Sequence, residues 1–68
     1  MKNTIKVNRA RLGMTQADLA GKVQVSRQTI NAMELGKYAP STILSLKLSD
    51  IFGLPVNELF ILEEDDWS

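Results

Sequence analysis

The chain has 68 residues, and its net charge is zero because 8 Lys and Arg balance 8 Asp and Glu. This length allows one domain, and a hydrophobic content of 44% excludes disorder throughout. The sequence has neither Cys nor His, so it lacks a thiolate nucleophile, the usual general base and the usual zinc ligands. We therefore expect no enzyme, no metal site and no cofactor.

The first two predicted helices are separated by a glycine. Helical spacing of apolar residues predicts a helix over residues 4–12, and Gly13 is expected just past its end. Thr15 opens the next helix, because Asp18 follows three residues later as in a capping box. The residues expected on the inner faces of these helices are Ile5, Leu12, Leu19, Ala20 and Val23.

Three further helices are predicted from their caps. Ser26 caps helix 3, which stops before Gly36. Ser41 caps helix 4, which ends at Gly53, and Pro55 begins a short fifth helix. Every apolar segment has the helical period of 3.6 and no central segment alternates with period 2, so the sequence predicts an all-α fold, a compact bundle of five helices.

The link between helices 2 and 3 carries the strongest signal in the sequence. About three residues separate Val23 from the start of helix 3, and so short a turn forces the steep crossing of a helix-turn-helix unit. Ala20 is the small residue that this crossing needs where the helices touch. The apolar residues expected to flank the turn and face the core are Leu19, Val23, Val25, Ile30 and Met33.

The start of helix 3 exposes hydrogen-bonding side chains and no acid: Arg27, Gln28, Thr29 and Asn31. Arg reads guanine through O6 and N7, whereas Gln or Asn reads adenine through N6 and N7. The Thr29 methyl suits a thymine methyl, and its hydroxyl suits a phosphate. These residues are candidate contacts to DNA bases, and the alternative is an ordinary polar helix surface.

Three runs of the sequence resemble the Cro and phage-repressor type of helix-turn-helix regulator, the XRE family. They are MTQADLA at residues 14–20, VSRQTIN at residues 25–31 and ELGKYAPS at residues 34–41, and the resemblance covers residues 4–60. It implies a five-helix domain of the phage-repressor DNA-binding type, with helix 3 in the major groove of DNA. The chain also resembles the very small stand-alone members of the family that dimerise through their C-terminal segment.

The resemblance assigns roles to single residues. It implies that Arg27 and Gln28 read bases, with Thr29 and Asn31 as further base contacts. It implies phosphate contacts from four residues near helices 2 and 3, namely Gln16, Ser26, Lys37 and Tyr38. Gln16 is also expected to brace the recognition helix, and its backbone N–H lies where helix N-termini bind anions.

An ion pair between Arg9 and Glu34 is also implied, joining helices 1 and 3. The alternative for Arg9 is a phosphate contact, but Glu34 would then place an unpaired acid close to DNA. Breaking the pair from one side is expected to cost more than ~1 kcal/mol.

The sequence departs from the family pattern at three positions. Gln24 stands where the turn usually has glycine, and a left-handed Gln24 would carry roughly 1 kcal/mol of strain. Asn8 stands where relatives often have an aliphatic residue, and Ala32 where some relatives have a longer base-contacting side chain. The DNA sequence recognised cannot therefore be transferred from a relative.

Charge is segregated along the chain. Residues 1–37 carry seven basic and two acidic residues, a net charge of +5, whereas residues 38–68 carry one basic and six acidic residues, a net charge of −5. Such segregation fits a face for a polyanion and an acidic segment elsewhere, or two solvated faces. We divide the chain into a DNA-binding domain, residues 1–62, and an acidic tail, residues 63–68, expected to be mobile and to point away from DNA.

Dimerisation is expected because one helix-turn-helix reads only a few base pairs. A specific site needs two half-sites about 34–36 Å apart, hence a two-fold dimer. The late apolar residues Leu54, Phe60 and Ile61 are the candidate interface, and the alternative is that Phe60 and Ile61 finish the monomer core. Residues 60–63 are a candidate short strand, pairing with residues 1–2 or with a partner chain.

Two classes of function follow from the sequence. The first is a cytoplasmic, sequence-specific regulator that binds double-stranded DNA, most simply a repressor that holds a palindromic operator as a homodimer. The second is a protein-interaction module, for example an antitoxin, whose acidic tail ending near Trp67 engages a protein. No apolar run is long enough for a membrane span, the first residues lack the apolar stretch of a signal peptide, and no small-molecule ligand is implied.

Overall fold

Five α-helices and a two-stranded sheet form the fold in the computed structural model, which describes residues 1–68. In chain order the elements are β1 (Lys2–Asn3), α1 (Ile5–Arg11), α2 (Gln16–Val23), α3 (Arg27–Glu34), α4 (Thr42–Phe52), α5 (Val56–Leu59), β2 (Phe60–Ile61) and a 3₁₀ helix (Glu64–Trp67). The predicted all-α class with five helices is confirmed. None of these helices combines the length and apolarity needed to cross a membrane.

Side chains from every α-helix meet in one hydrophobic core. Its buried members are Ile5, Leu19, Ala20, Val23, Ile30, Met33, Leu44, Leu48, Phe52, Leu59 and Phe60. Val25, Leu54 and Val56 pack against this core while half-buried. The predicted inner positions of α2 and α3 are thereby confirmed, but Leu12, expected inside, is 43% exposed and lies one residue past the end of α1 at Arg11.

The caps of α2, α3 and α4 are the residues predicted from the sequence. The Thr15 hydroxyl accepts the Asp18 backbone N–H, and the Asp18 carboxylate accepts the Thr15 backbone N–H, both at 3.0 Å. Hydrogen bonds from the Thr15 backbone N–H, and secondarily from its hydroxyl, hold the pKa of Asp18 below its ordinary value. Ser26 and Ser41 cap α3 and α4, and Gly53 ends α4 in the left-handed conformation.

Asn8, which departs from the family pattern, is buried in α1 with its hydrogen bonds made. Its Nδ2 donates to the carbonyl of Thr4 at 2.9 Å and to the Thr4 hydroxyl at 3.0 Å. Its Oδ1 accepts from Nε of Arg11 at 3.3 Å. A polar side chain is tolerated here because each of its polar atoms has a partner.

The two ends of the domain are joined by the small sheet. β1 and β2 are antiparallel, with Lys2 opposite Ile61 and Asn3 opposite Phe60. Of the two pairings left open by the sequence, the one with the N-terminal segment is present. Since the sheet has only two strands, each strand keeps one unpaired edge.

The acidic tail forms the 3₁₀ helix Glu64–Trp67 and contacts the N-terminus of the chain. The N-terminal ammonium of Met1 lies 3.0 Å from Oε1 of Glu63 and 3.1 Å from Oδ2 of Asp66. Hydrogen bonds to Glu63 and then Asp66 raise the pKa of this ammonium group. The sheet brings Met1 close to the tail. The positive charge of the Met1 ammonium group then offsets the repulsion between the tail carboxylates, which opposes packing of the tail.

Candidate nucleic-acid interface

The turn between α2 and α3 is set by Gln24. This residue has φ 63° and ψ 44°, so it adopts the left-handed conformation, which carries roughly 1 kcal/mol of strain at a non-glycine residue. The next residue, Val25, donates its backbone N–H to the carbonyl of Ala20 at 3.1 Å, which closes the end of α2. Lys47 of α4 donates to Oε1 of Gln24 at 3.3 Å. The conformation of the turn thus sets the orientation of α3 relative to α2.

Three candidate base-reading side chains of α3 are exposed, namely Arg27, Gln28 and Asn31. Arg27 and Gln28 make no side-chain hydrogen bond within the chain, so all of their donors and acceptors are free for a ligand. Arg27 and Asn31 are four residues apart and therefore share one face of the helix. The exposed hydrogen-bonding groups of these side chains therefore lie close together on α3, and the first turn of this helix carries no acidic residue.

Thr29 is less available than its neighbours on α3. It is half-buried, and its hydroxyl lies 2.9 Å from the hydroxyl of Ser26. Oγ of Ser26 also accepts the backbone N–H of Thr29 at 3.1 Å, as a cap of α3. Both hydroxyls therefore take part in the hydrogen bonds that cap the start of α3. A DNA contact by Ser26 or Thr29 would be made in addition to these bonds.

Arg9 and Glu34 form the predicted ion pair between α1 and α3. Nε of Arg9 donates to Oε2 of Glu34 at 2.8 Å, and its Nη2 donates to Oε1 at 3.2 Å. The Arg9 and Glu34 side chains are 15% and 5% exposed. A third bond, from Nη1 of Arg9 to the carbonyl of Met14 at 2.9 Å, leaves Arg9 oriented toward the protein, so the alternative of a phosphate contact is not favoured.

The carboxylate of Glu34 is held ionised. Burial opposes its ionisation, but hydrogen bonds from Arg9 and Gln16, with the positive charges of Arg9 and Lys6, outweigh burial and hold the pKa of Glu34 below its ordinary value. The hydrogen bond to Glu34 in turn raises the pKa of Arg9. The only acid on α3 is therefore neutralised inside the protein and adds no free negative charge to the exposed face.

Gln16 links the start of α2 to α3. Its Nε2 donates to Oδ1 of Asn31 and to Oε1 of Glu34, each at 3.1 Å. The predicted bracing of the recognition helix is thus present, but both amide hydrogens are used in it. If Gln16 contacts a phosphate, the donor is its backbone N–H. This N–H lies in the first turn of α2 and therefore has no partner within the helix. The sequence did not reveal the bond to Asn31, because it depends on how α2 and α3 cross.

Lys37 and Tyr38 lie in the loop after α3, both exposed. The backbone N–H of Lys37 donates to the carbonyl of Ala32 at 2.9 Å, across a left-handed Gly36 with φ 75°. Neither side chain makes a hydrogen bond or ion pair within the chain. Both are placed next to the recognition helix, as a phosphate contact requires.

The acidic tail lies nearer to this loop than the sequence led us to expect. A small cavity of about 160 Å³ is lined by Tyr38 and Gly36 of the loop and by Met1 and Asp66. Asp66 is thus a neighbour of the loop that carries two candidate phosphate contacts, rather than pointing away from it. Its carboxylate is engaged by the backbone N–H of Glu63 and by the Met1 ammonium, which together lower the pKa of Asp66.

The three candidate dimer residues differ in accessibility. Phe60 is 8% exposed and belongs to the monomer core, so for this residue the alternative reading of the sequence is correct. Leu54 is half-buried against the same core. Ile61 is 43% exposed on β2, beside the free strand edge.

Comparisons with known proteins match nearly the whole chain. A helix-turn-helix family profile covers residues 5–59, from the start of α1 to the end of α5. Over 66 residues the chain is 50% identical to an uncharacterized HTH-type transcriptional regulator of Methanocaldococcus jannaschii, covering 97% of this chain and 100% of the relative. Over 66 residues it is 44% identical to the uncharacterized HTH-type transcriptional regulator YgzD of Bacillus subtilis, covering 97% and 100%. A further 44% identical relative, in Methanothermobacter thermautotrophicus, is likewise described as an uncharacterized HTH-type transcriptional regulator, and the alignment covers 96% of each chain.

Proposed function

The chain belongs to the XRE-type helix-turn-helix family of DNA-binding transcriptional regulators, which are not enzymes, and we propose that it is a repressor that binds a palindromic operator as a homodimer. In this proposal α3 lies in the major groove of double-stranded DNA, and the protein acts in the cytoplasm. The observation that carries the proposal is the set of exposed polar side chains on α3, a helix that Arg9 of α1 and Gln16 of α2 anchor through Glu34.

Direct base reading is assigned to Arg27, Gln28 and Asn31, with Thr29 in a secondary role. The first two have unengaged side chains, and Arg27 supplies the paired donors that match O6 and N7 of guanine. Thr29 is half-buried and bonded to Ser26, so its methyl is the group best suited to contact a thymine.

Phosphate contacts are assigned to residues that flank α3. Lys37 and Tyr38 follow the helix with free side chains, and the backbone N–H of Gln16 lies at a helix N-terminus, where an anion is favoured. Ser26 completes this set, with its hydroxyl shared between the cap and the DNA. Such contacts fix the position of the protein and make affinity salt-dependent, without specifying sequence.

A two-fold dimer is proposed because α3 spans only eight residues and reads one half-site. Its interface is assigned to Ile61 and Leu54, with Phe60 supporting them from the core. The unpaired edge of β2 favours this place, since exposed strand edges are templates for pairing with another chain.

The test is selection of bound duplexes from random DNA by the full chain. We expect a palindrome whose half-site centres are one helical turn apart, and occupancy of a promoter carrying it to block transcription in a purified system. Equal binding to every duplex, or no binding, would contradict the proposal of sequence-specific recognition. Selection of single half-sites only would contradict the dimer, and promoter activation would contradict repression.

A second candidate function uses the tail as a docking point for a protein partner, as in an antitoxin. The supporting observation is Trp67, which is 78% exposed beside the acidic residues of the 3₁₀ helix. If this function holds, deleting residues 63–68 abolishes capture of that partner and leaves selection of DNA sequences intact. Unchanged capture after the deletion would contradict it.

A further inference from the structure

The side-chain amide of Asn3 joins the small sheet to the ends of two helices. Asn3 lies on β1, opposite Phe60 of β2. Its Nδ2 donates to the carbonyl of Met33, in the last turn of α3, at 2.9 Å, and its Oδ1 accepts the backbone N–H of Ile5, the first residue of α1, at 3.2 Å. The amide has one favourable orientation, because turning it over would set its oxygen against a carbonyl and its nitrogen against an N–H.

The Met33 carbonyl is one of the last four of α3, which have no partner in the regular helix pattern. It accepts the backbone N–H of Gly36 at 3.0 Å in addition to the amide of Asn3. A carbonyl oxygen has two lone pairs, so these two bonds satisfy it. The bond from Asn3 is the only hydrogen bond that joins β1 or β2 to α3.

Apolar packing between the sheet and the end of α3 is incomplete. The cavity of about 160 Å³ described above has Asn3 and Phe60 of the sheet, Met33 of α3, and Gly36 and Tyr38 of the following loop in its lining. Since side chains do not fill the space between the sheet and α3, packing restrains their relative angle less than it would in a close-packed core. The directional bond from Asn3 therefore carries much of that restraint.

We propose that Asn3 is a positioning residue that holds α3 at one angle to the sheet and thereby limits the spacing of half-sites that the dimer accepts. This inference rests on the proposed function, in which the free edge of β2 joins two copies of the chain. In that dimer a connection from each α3 to the two-fold axis runs through Asn3, β1 and β2. Asn3 touches no base in this scheme and acts on DNA only through the position of α3.

The spacing of half-sites is sensitive to this angle. One additional base pair moves a half-site by about 3.4 Å along the DNA axis and rotates it by about 35°. To follow such a shift, α3 has to turn relative to the sheet, which in the wild type breaks the bond from Asn3 to Met33. One hydrogen bond corresponds to about a fivefold change in an equilibrium constant. Removing this bond should therefore lower the discrimination between spacings by about that factor.

Asn3→Asp is the sharpest variant, because it keeps an oxygen for the N–H of Ile5 and loses the donor to Met33. Asn3→Ala removes the same donor without adding a charge. Thr4→Val is the matched control, since the Thr4 hydroxyl donates to the carbonyl of Glu58 at 2.8 Å. It removes a bond from the same segment of the chain to α5 instead of α3.

The experiment measures the affinity of the full chains for palindromes that carry the selected half-sites at the selected spacing and at spacings one base pair shorter or longer. Circular dichroism and sedimentation first establish that each variant is folded and dimeric. We expect both Asn3 variants to lower the ratio of affinities between the selected and the shifted spacings by about fivefold. The bases selected within each half-site should not change, and Thr4→Val should keep the wild-type ratio. A residue that only stabilised the fold would lower Tm and leave this ratio unchanged.

The possible results separate the role of Asn3 from its alternatives. An unchanged ratio in either Asn3 variant would overturn the assignment, and so would an equal fall in Thr4→Val, because the whole N-terminal segment would then be responsible. Loss of the dimer in both Asn3 variants would also overturn it, since the bond would then act on assembly and not on the angle of α3. Failure of the proposed function looks different, because the wild type itself would then select single half-sites or no sequence.

Discussion

Oε1 of Glu34 accepts hydrogen bonds from Nη2 of Arg9 at 3.2 Å and from Nε2 of Gln16 at 3.1 Å, so one carboxylate oxygen joins α1, α2 and α3. The other oxygen accepts from Nε of Arg9 at 2.8 Å. This carboxylate contributes both to stability and to the position of α3, because the same bonds hold the three helices together.

Replacing Glu34 by Gln should lower the free energy of unfolding at pH 7 by about 2 kcal/mol, since a hydrogen-bonded charge is lost and the largely buried Arg9 is left without its counter-ion. The folded protein holds the pKa of Glu34 below its ordinary value of 4.5. The stabilisation is therefore complete above that value and is lost as the pH falls through the lower, folded-state pKa.

Urea unfolding at a series of pH values checks this prediction. The difference between wild type and Glu34→Gln should be constant near neutral pH and should shrink as the solution is acidified below about pH 4.5. Glu58→Gln is the control, because Glu58 is exposed and its carboxylate has no ion pair. A difference that grows on acidification would contradict the role assigned to Glu34.

Replacing Gln24 by Gly should raise the free energy of unfolding by up to about 1 kcal/mol, because glycine adopts a φ of 63° without the steric strain of a side chain. The lost bond to Lys47 is exposed and long, at 3.3 Å, and contributes little. For a domain of this size the gain corresponds to a rise in Tm of about 4–8 °C. A lower Tm would mean that the side chain of Gln24 contributes more to the free energy of unfolding than the strain of its left-handed backbone costs.

Two glycines provide opposite predictions for the same substitution. Gly21 lies inside α2 and a Cβ there would meet nothing within 4 Å, so Gly21→Ala should stabilise the protein by roughly 0.5–1 kcal/mol. Gly53 has equal space but a φ of 66°, so Gly53→Ala should destabilise it by about 1 kcal/mol. Thermal unfolding of both variants checks the signs, and equal signs would contradict the argument from backbone conformation.

Local features of the fold were predictable because they depend on neighbours in sequence. The caps at Thr15, Ser26 and Ser41 are each read from a hydroxyl residue before an apolar helix pattern. For Gln24 the sequence raised the left-handed conformation only as a possibility, because the family usually has glycine at this position, and the structure shows that conformation. The pairing of Arg9 with Glu34 came from the family resemblance, not from local pattern.

Features set by the packing of distant segments were not predictable. The bond between Gln16 and Asn31 depends on the crossing of α2 and α3 to within an ångström, which residue spacing does not give. The contact between the tail and the N-terminus depends on β1 bringing the Met1 ammonium within 3.1 Å of Asp66, 65 residues away in sequence.

Lys37 and Arg27 should differ in what their removal does to DNA binding. Lys37→Ala is expected to weaken binding to all sequences by a similar factor and to reduce the slope of log affinity against log salt by about 1, as loss of one phosphate contact does. Arg27→Ala is expected to cost about 1–3 kcal/mol on the selected site and to relax preference at one base pair. Fluorescence anisotropy at several salt concentrations, on the selected duplex and on a scrambled one, separates the two effects. Retained specificity in Arg27→Ala would remove that residue from the base-reading set.

Ile61 tests the proposed dimer without disturbing the core, since it is exposed whereas its neighbour Phe60 is buried. The variant Ile61→Asp places a carboxylate on the free edge of β2, so two like charges would lie near each other across the two-fold axis. Sedimentation of this variant should therefore show a monomer where the wild type shows a dimer. Affinity for the full palindrome should then approach that for one half-site. Val7→Asp makes the same change at an exposed position of α1 and should stay dimeric. If Ile61→Asp stays dimeric and Val7→Asp does not, the interface lies on α1 and the assignment to the C-terminal strand is wrong.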